Sequence, residues 1–154
     1  MRLDSLLAAD AILPSLKANT RKQALAEVAA LAARVSGLKE REIFDNLWQR
    51  ECLGSTGVGE GIALPHAKMG KAGRMFGVFA RLERPIEYDS LDGVPVDLVF
   101  ALIAPETAGA DHLQALAQVA RTFRDDSLVA ALRATRDSAG LFTLLTSPSA
   151  LDAA

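Results

Sequence analysis

Two stretches of the chain, Met75 to Leu82 and Val96 to Ala104, are apolar at nearly every position. A β-strand points successive side chains to opposite faces, so a strand that is apolar throughout must be covered on both of them. Both stretches therefore read as central strands, with Asp92-Gly93 marking a turn between them. The cover has to come from the rest of the chain, which has helical periodicity. Asn19 or Thr20 can cap a helix running to about Val35, with Leu25, Val28, Ala32 and Val35 on one face and Gly37 as its stop. A second helix, from about Lys39 to Leu53, puts Ile43, Phe44, Leu47, Trp48 and Cys52 on one stripe and leaves Glu40, Arg41, Asp45, Asn46 and Gln49 toward water. After Pro105, Leu113, Leu116, Ala117, Ala120 and Phe123 repeat at helical spacing, with Asp111 and Gln114 placed as a capping box. Two short helices, roughly Ser127 to Ala134 and Asp137 to Thr146, each begin beside an aspartate. Helices before, between and after the strands predict an α/β sandwich.

A chain of 154 residues, 50% of them hydrophobic and 23% charged, is sized for one compact domain with a substantial core. No repeat, low-complexity linker or shift in composition divides it, so residues 1–146 are expected to form that domain and 147–154 a flexible C-terminal tail. A net charge of −2 removes any electrostatic reason to expect nucleic acid as a partner. The N-terminus, Met1-Arg2-Leu3-Asp4-Ser5-Leu6-Leu7, brings in an acid early and has no signal-peptide core. The longest uncharged apolar run, Leu98 to Ala104, is too short to span a bilayer. The expectation is a soluble cytoplasmic protein without membrane insertion. A single cysteine, Cys52, excludes an internal disulfide and a multi-cysteine metal cluster. Its place on the apolar stripe predicts a buried small hydrophobe rather than a reactive thiol.

The residues suited to chemistry cluster after the second helix. Gly54, Gly57, Gly59 and Gly61 lead into Ile62-Ala63-Leu64-Pro65-His66, where Pro65 drives Leu64 into extended backbone, so His66 is predicted to end a short strand. The glycines let the backbone bend and gather N–H groups around one spot, a nest for an anion. Ser55, Thr56, Gly57, Gly59 and Gly61 thus form a candidate phosphate-binding loop. Their spacing is neither G-x-G-x-x-G nor a Walker A loop, so no nucleotide is expected. Taken singly, the glycines suit a surface turn and His66 suits a strand-end histidine bonded to a carbonyl; together they favour an anion site beside a side chain that titrates near neutral pH. His112 falls in a first helical turn, where the macrodipole disfavours a protonated imidazole. It can stay neutral there and donate an N–H to a phosphoryl oxygen, or be solvated near the cap. Arg50, at the end of the second helix, can offer a planar charged fork to phosphate or be solvated. Two imidazoles without a third ligand at motif spacing make a poor zinc site, so neither metal nor other cofactor is expected.

The segment Arg50-Glu51-Cys52-Leu53-Gly54-Ser55-Thr56-Gly57-Val58-Gly59-Glu60-Gly61-Ile62-Ala63-Leu64-Pro65-His66 resembles the mannitol/fructose/nitrogen-type enzyme IIA family (EIIA type 2) of the bacterial phosphoenolpyruvate-dependent phosphotransferase system. The likeness continues through Asp92-Gly93-Val94-Pro95-Val96-Asp97-Leu98-Val99-Phe100 and His112-Leu113-Gln114-Ala115-Leu116-Ala117, and covers the chain from near its start to about Thr146. It implies a mixed parallel and antiparallel β-sheet flanked by helices. It also implies that His66 is the phosphoacceptor, with the tele nitrogen as the expected attachment point where the residues alone leave both ring nitrogens open. His112 would stabilise the phosphoryl group and Arg50 would help form the site. By the same resemblance the chain is a phosphohistidine carrier component rather than a stand-alone enzyme, its donor a small carrier protein resembling HPr. An apolar rim beside His66, including Met69, Met75 and Phe76, would dock that partner, although core packing is the favoured role for Phe76.

Within this family the expectation is the nitrogen type, which controls protein targets such as kinases or transporters through its phosphorylation state, since no IIB or membrane part accompanies the domain. A freestanding fructose- or mannitol-specific IIA that passes phosphate to a IIB domain is the alternative. From a different class, a ligand- or protein-binding module whose histidine is never modified would use the same residues.

Overall fold

The computed structural model describes residues 3–147, and beyond Ser147 the expected tail lies outside them. The described residues form β1 (Leu7–Leu16), α1 (Arg21–Ser36), α2 (Glu40–Leu53), β2 (Gly57–Gly59), β3 (Ile62–Ala63), β4 (His66–Met69), β5 (Phe76–Ile86), β6 (Val96–Pro105), α3 (Ala110–Thr122), α4 (Asp126–Ala134) and α5 (Ser138–Thr146). The sheet order is β1-β5-β6-β3-β2, with β4 also paired to β6. β1 runs parallel to β5, and β3 and β4 run parallel to β6, while the β5–β6 and β2–β3 pairs are antiparallel. The sheet is therefore mixed, as the family resemblance implied.

The two apolar stretches are the central strands. Residues 98–104 of β6 are buried without a break, as are 76–80 of β5. Since neighbours along a strand face opposite ways, both sides of the sheet are covered there. Each leucine, isoleucine or phenylalanine so buried contributes about 1.5–3 kcal/mol, and Leu98, Phe100, Leu102 and Ile103 are all within 1% of complete burial. α1 packs on α2, β1 and β5; α2 packs on β4, α3 on β6 and α5 on β1.

Local chemistry sets most helix ends. The Thr20 hydroxyl accepts from the Gln23 N–H and Gly37 closes α1 in the left-handed conformation, at φ 78°. Asp125 accepts from the Ser127 and Leu128 N–H groups, and Asp137 from that of Gly140. α3 is different: Gly109 is its N-cap with no side-chain bond, so Asp111 and Gln114 form no capping box.

Three expectations need correction. Glu51 occupies the buried stripe of α2 with Ile43 and Leu47, while Cys52 is exposed and Phe44 and Trp48 are half-buried. Steps of four from Ile43 through Leu47 reach residue 51, which turns Cys52 outward. In α3 the inward residues are His112, Ala115 and Val119, and Leu113 is 70% exposed. His66 opens β4 rather than ending a strand, because β3 stops at Ala63 and the ladder resumes only after Pro65.

Gly77 lies opposite Leu102 in the β5–β6 pair, with the Phe100 ring over it. A Cβ built on it would sit 2.5 Å from the Phe100 ring. Gly77→Ala is expected to lower unfolding stability by about 1–3 kcal/mol through overpacking, measured as a fall in urea midpoint with an unchanged slope; an unaltered midpoint would mean that the Phe100 ring moves aside freely.

Candidate functional site

Pro65 shapes the site by what it lacks. β3 and β4 follow one register along β6, with Ile62 opposite Leu98, Ala63 opposite Val99 and His66 opposite Leu102. Pro65 has no N–H for the ladder, so the step between β3 and β4 is held by other bonds. The Leu64 N–H goes to the Thr56 carbonyl at 3.0 Å, and the Pro65 carbonyl accepts from Leu102 at 2.9 Å. The Leu64 carbonyl is thereby left pointing at the His66 ring, where it lies 2.9 Å from Nδ1. A carbonyl can only accept, so Nδ1 carries the proton. In the neutral ring the lone pair is then on Nε2.

His66 and His112 meet edge to face, with ring centroids 5.8 Å apart and planes at 71°. His112, the third residue of α3, is only 5% exposed, and neither of its ring nitrogens has a hydrogen-bond partner among the described residues. A buried polar group normally has a partner, so this imidazole is short of one. Both rings line a cleft of about 880 Å³ between the end of α2 and the start of α3, together with Arg50 and Lys68. None of the described residues lining it carries a carboxylate side chain. The Arg50 guanidinium is held by the Gly54 carbonyl at 2.8 Å.

The electrostatics keep both rings neutral. Burial holds His66 below the ordinary histidine value, opposed by its bond to Leu64, with the Arg50 charge lowering it further and Glu51 raising it. Burial likewise lowers His112, helped by the His66 ring and the Lys68 charge. Below about pH 6.5 the unfolded chain therefore binds protons that the folded chain refuses, so stability must fall as the medium is acidified. Unfolding midpoints are expected to drop on going from neutral pH through that range, and His112→Ala should flatten the drop; an identical pH slope in that variant would remove His112 as a contributor.

Of the residues expected in the site, His66, His112 and Arg50 come together. Ser55, Thr56, Gly57, Gly59 and Gly61 do not line the cleft. Their segment folds as the β2–β3 hairpin, whose turn has left-handed backbone at Gly59, Glu60 and Gly61, with φ of 101°, 58° and 85°. At that turn the Asp92 carboxylate accepts the Glu60 N–H at 2.9 Å. Gly57 packs against Ser90, and the Ser55 hydroxyl donates to the Tyr88 carbonyl. Phe76 packs in the core, as favoured, but the expected rim is elsewhere: Met69 is buried and Met75 packs half-buried against the core, whereas Leu53, 85% exposed, and Leu113 flank the cleft. Lys68 was not anticipated, and its one sequence signal is that it shares a strand face with His66, two residues away.

The Phosphoenolpyruvate-dependent sugar phosphotransferase system, EIIA 2 family model matches residues 5–147. A nitrogen regulatory protein of Bradyrhizobium diazoefficiens is 54% identical over 150 residues, covering 97% of this chain and 98% of that protein. The nitrogen regulatory protein of Escherichia coli is 36% identical over 147 residues, or 95% and 90% of the two chains. The crystal structure of nitrogen regulatory protein IIA-Ntr from Neisseria meningitidis superposes with a TM-score of 0.87 at 32% identity, covering 92% of this chain and 97% of that one. With a matching fold, a matching sequence and two neutral histidines facing each other in a cationic cleft, the chain belongs to the EIIA 2 family of the phosphoenolpyruvate-dependent sugar phosphotransferase system.

Proposed function

We propose that this chain carries phosphate on Nε2 of His66, receiving it from a phosphorylated HPr-like protein, and acts as a nitrogen-regulatory member of the phosphotransferase system. The observation that carries this reading is the bond from His66 Nδ1 to the Leu64 carbonyl, which leaves the Nε2 lone pair as the nucleophile. The nitrogen-regulatory role draws its support from the relatives, which bear that name at 54% and 36% identity over nearly their whole lengths. The same reading makes this a cytoplasmic protein that needs no cofactor; among the described residues no helix is long and apolar enough to cross a membrane.

In the transfer, the Nε2 lone pair attacks phosphorus in line as the bond from phosphorus to the donor imidazole breaks, and the donor nitrogen takes that electron pair. His66 keeps its Nδ1 proton, and the Leu64 carbonyl supports the positive charge that develops on the ring. The transition state is loose, so the protein's contribution is positioning together with stabilisation of the phosphoryl oxygens. A ring N–H of His112 and the guanidinium of Arg50 are suited to those oxygens, with Lys68 adding positive charge at the cleft. The exposed Leu53 and Leu113 supply an apolar margin for the partner.

Incubation of the full chain with phosphoenolpyruvate, enzyme I and an HPr-like carrier is expected to give one acid-labile phosphate per chain. An unlabelled protein would leave the binding-module reading in its place. Adding a fructose- or mannitol-type IIB domain then separates the two roles within the family. Phosphate that stays on the chain fits a regulator acting on protein targets, whereas rapid discharge to IIB would make it a sugar-specific IIA.

A further inference from the structure

Glu51 is a carboxylate in the wrong place for a surface helix. Its side chain is wholly buried, in the stripe that Ile43 and Leu47 begin. It accepts the Thr56 N–H at 2.9 Å, the Thr56 hydroxyl, and the Tyr88 hydroxyl at 3.2 Å. Arg21 stands 3.8 Å away, its guanidinium lying over the Trp48 and Tyr88 rings at 5.4 and 5.8 Å. Burial and the neighbouring carboxylate push the Tyr88 phenol far up, so it remains a donor. Such clusters are a poor device for stability alone, because well-packed apolar side chains in their place are often neutral or better. What this cluster holds is more informative.

Thr56 gives both its donors to Glu51 and turns its carbonyl to the Leu64 N–H, at 3.0 Å. The Leu64 carbonyl in turn accepts from Nδ1 of His66, at 2.9 Å. Because Pro65 removes the ladder donor at this step, the backbone at Leu64 is held by the Thr56 carbonyl on one side and by the Leu102 N–H on the Pro65 carbonyl on the other. We propose that Glu51 and Thr56 are positioning residues for His66: the buried carboxylate anchors Thr56, and through the Leu64 peptide this sets the ring orientation and the tautomer that leaves Nε2 as the acceptor. The proposal rests on the carrier reading of His66, and it makes a carboxylate that touches no phosphate a determinant of transfer. The charged or titratable groups acting on His66 are Arg50, Glu51 and His112, with Lys68 in the same cleft, and Glu51 is the one that favours its protonated form.

The test uses the full chain with Glu51→Gln, Thr56→Val and Thr56→Ser. Imidazole 15N shifts are recorded across pH with no donor present, which is simple in a protein with two histidines, and single-turnover transfer from a phosphorylated HPr-like protein follows. Glu51→Gln is expected to lower the His66 pKa, to reduce the Nδ1–H tautomer, and to slow transfer roughly 10- to 100-fold. Thr56→Val should show the tautomer change and the slowing, and Thr56→Ser should restore both. Folded Glu51→Gln or Thr56→Val with wild-type shifts and a wild-type rate overturns the proposal. If Glu51→Gln does not fold, the Thr56 pair decides by the same readouts. Because tautomer and pKa are read without phosphate, failure of the positioning role is distinct from failure of the carrier reading, in which the wild type itself would take no label.

Discussion

Replacing His66 by alanine is expected to reduce acid-labile phosphate on the chain to background, while enzyme I and the HPr-like donor in the same tube stay phosphorylated. Loss of acid-labile phosphohistidine should be complete because the other imidazole of the cleft cannot substitute. His112 is only 5% exposed and both its ring nitrogens are enclosed, so a donor protein cannot bring its phosphorus in line with either. Lys68 and Arg50 are cations, with no lone pair to offer at neutral pH. The fold should barely register the change. His66 is half-buried, and among the described residues its side chain bonds to the Leu64 carbonyl, a contact with a net contribution of about 1 kcal/mol. A variant that unfolds near the wild-type midpoint and takes no phosphate isolates the chemistry from the structure. Label persisting near wild-type levels would mean that the acceptor is another residue, and the division of roles in the cleft would have to be redrawn.

Much of the scaffold around that histidine is legible in the residues, because its determinants are local. Short apolar runs bounded by turn signals suit interior strands, and β5 and β6 are such strands; Thr20, Asp125 and Asp137 are cap residues because each bonds an N–H two or three positions ahead. β1 is illegible for the complementary reason. It carries Pro14, its burial does not alternate, and it meets β5 through register shifts, so no period of two is present to be read.

The site divides the same way. Arg50, His66 and His112 carry their chemistry in their side chains, and the cleft collects all of them. The glycine turn reads as a nest for an anion, whereas the group that takes its Glu60 N–H is Asp92, 32 residues farther along and invisible to local spacing. Glu51 looks like solvated helix surface because a carboxylate usually is. Only the partners Thr56, Tyr88 and Arg21, reached through the fold, make its burial possible. What could have flagged it is helical phase, since a residue four beyond Leu47 and eight beyond Ile43 shares their stripe. Cys52 is exposed by that same phase.

His112 is expected to separate function from stability by moving them in opposite directions. A buried imidazole with no partner on either nitrogen among the described residues is a burden on the folded state, since an unmade hydrogen bond leaves a desolvation penalty of about 1–3 kcal/mol. His112→Leu replaces it with an apolar side chain of similar bulk beside Ala115 and Val119, the other inward residues of α3. The unfolding free energy of that variant should rise by about 1–2 kcal/mol. Phosphoryl transfer should nevertheless slow roughly 100-fold, the effect of losing one well-placed donor to developing charge on oxygen. A residue retained for packing would give the reverse pattern, with the leucine variant less stable and the transfer rate unchanged. Urea unfolding and single-turnover transfer, measured on the same preparation, distinguish the two. The opposite signs follow from geometry: the cleft faces a ring whose hydrogen-bonding capacity no described residue uses, and a phosphoryl group on Nε2 of His66, across an edge-to-face contact of 5.8 Å between ring centres, would be the group that uses it.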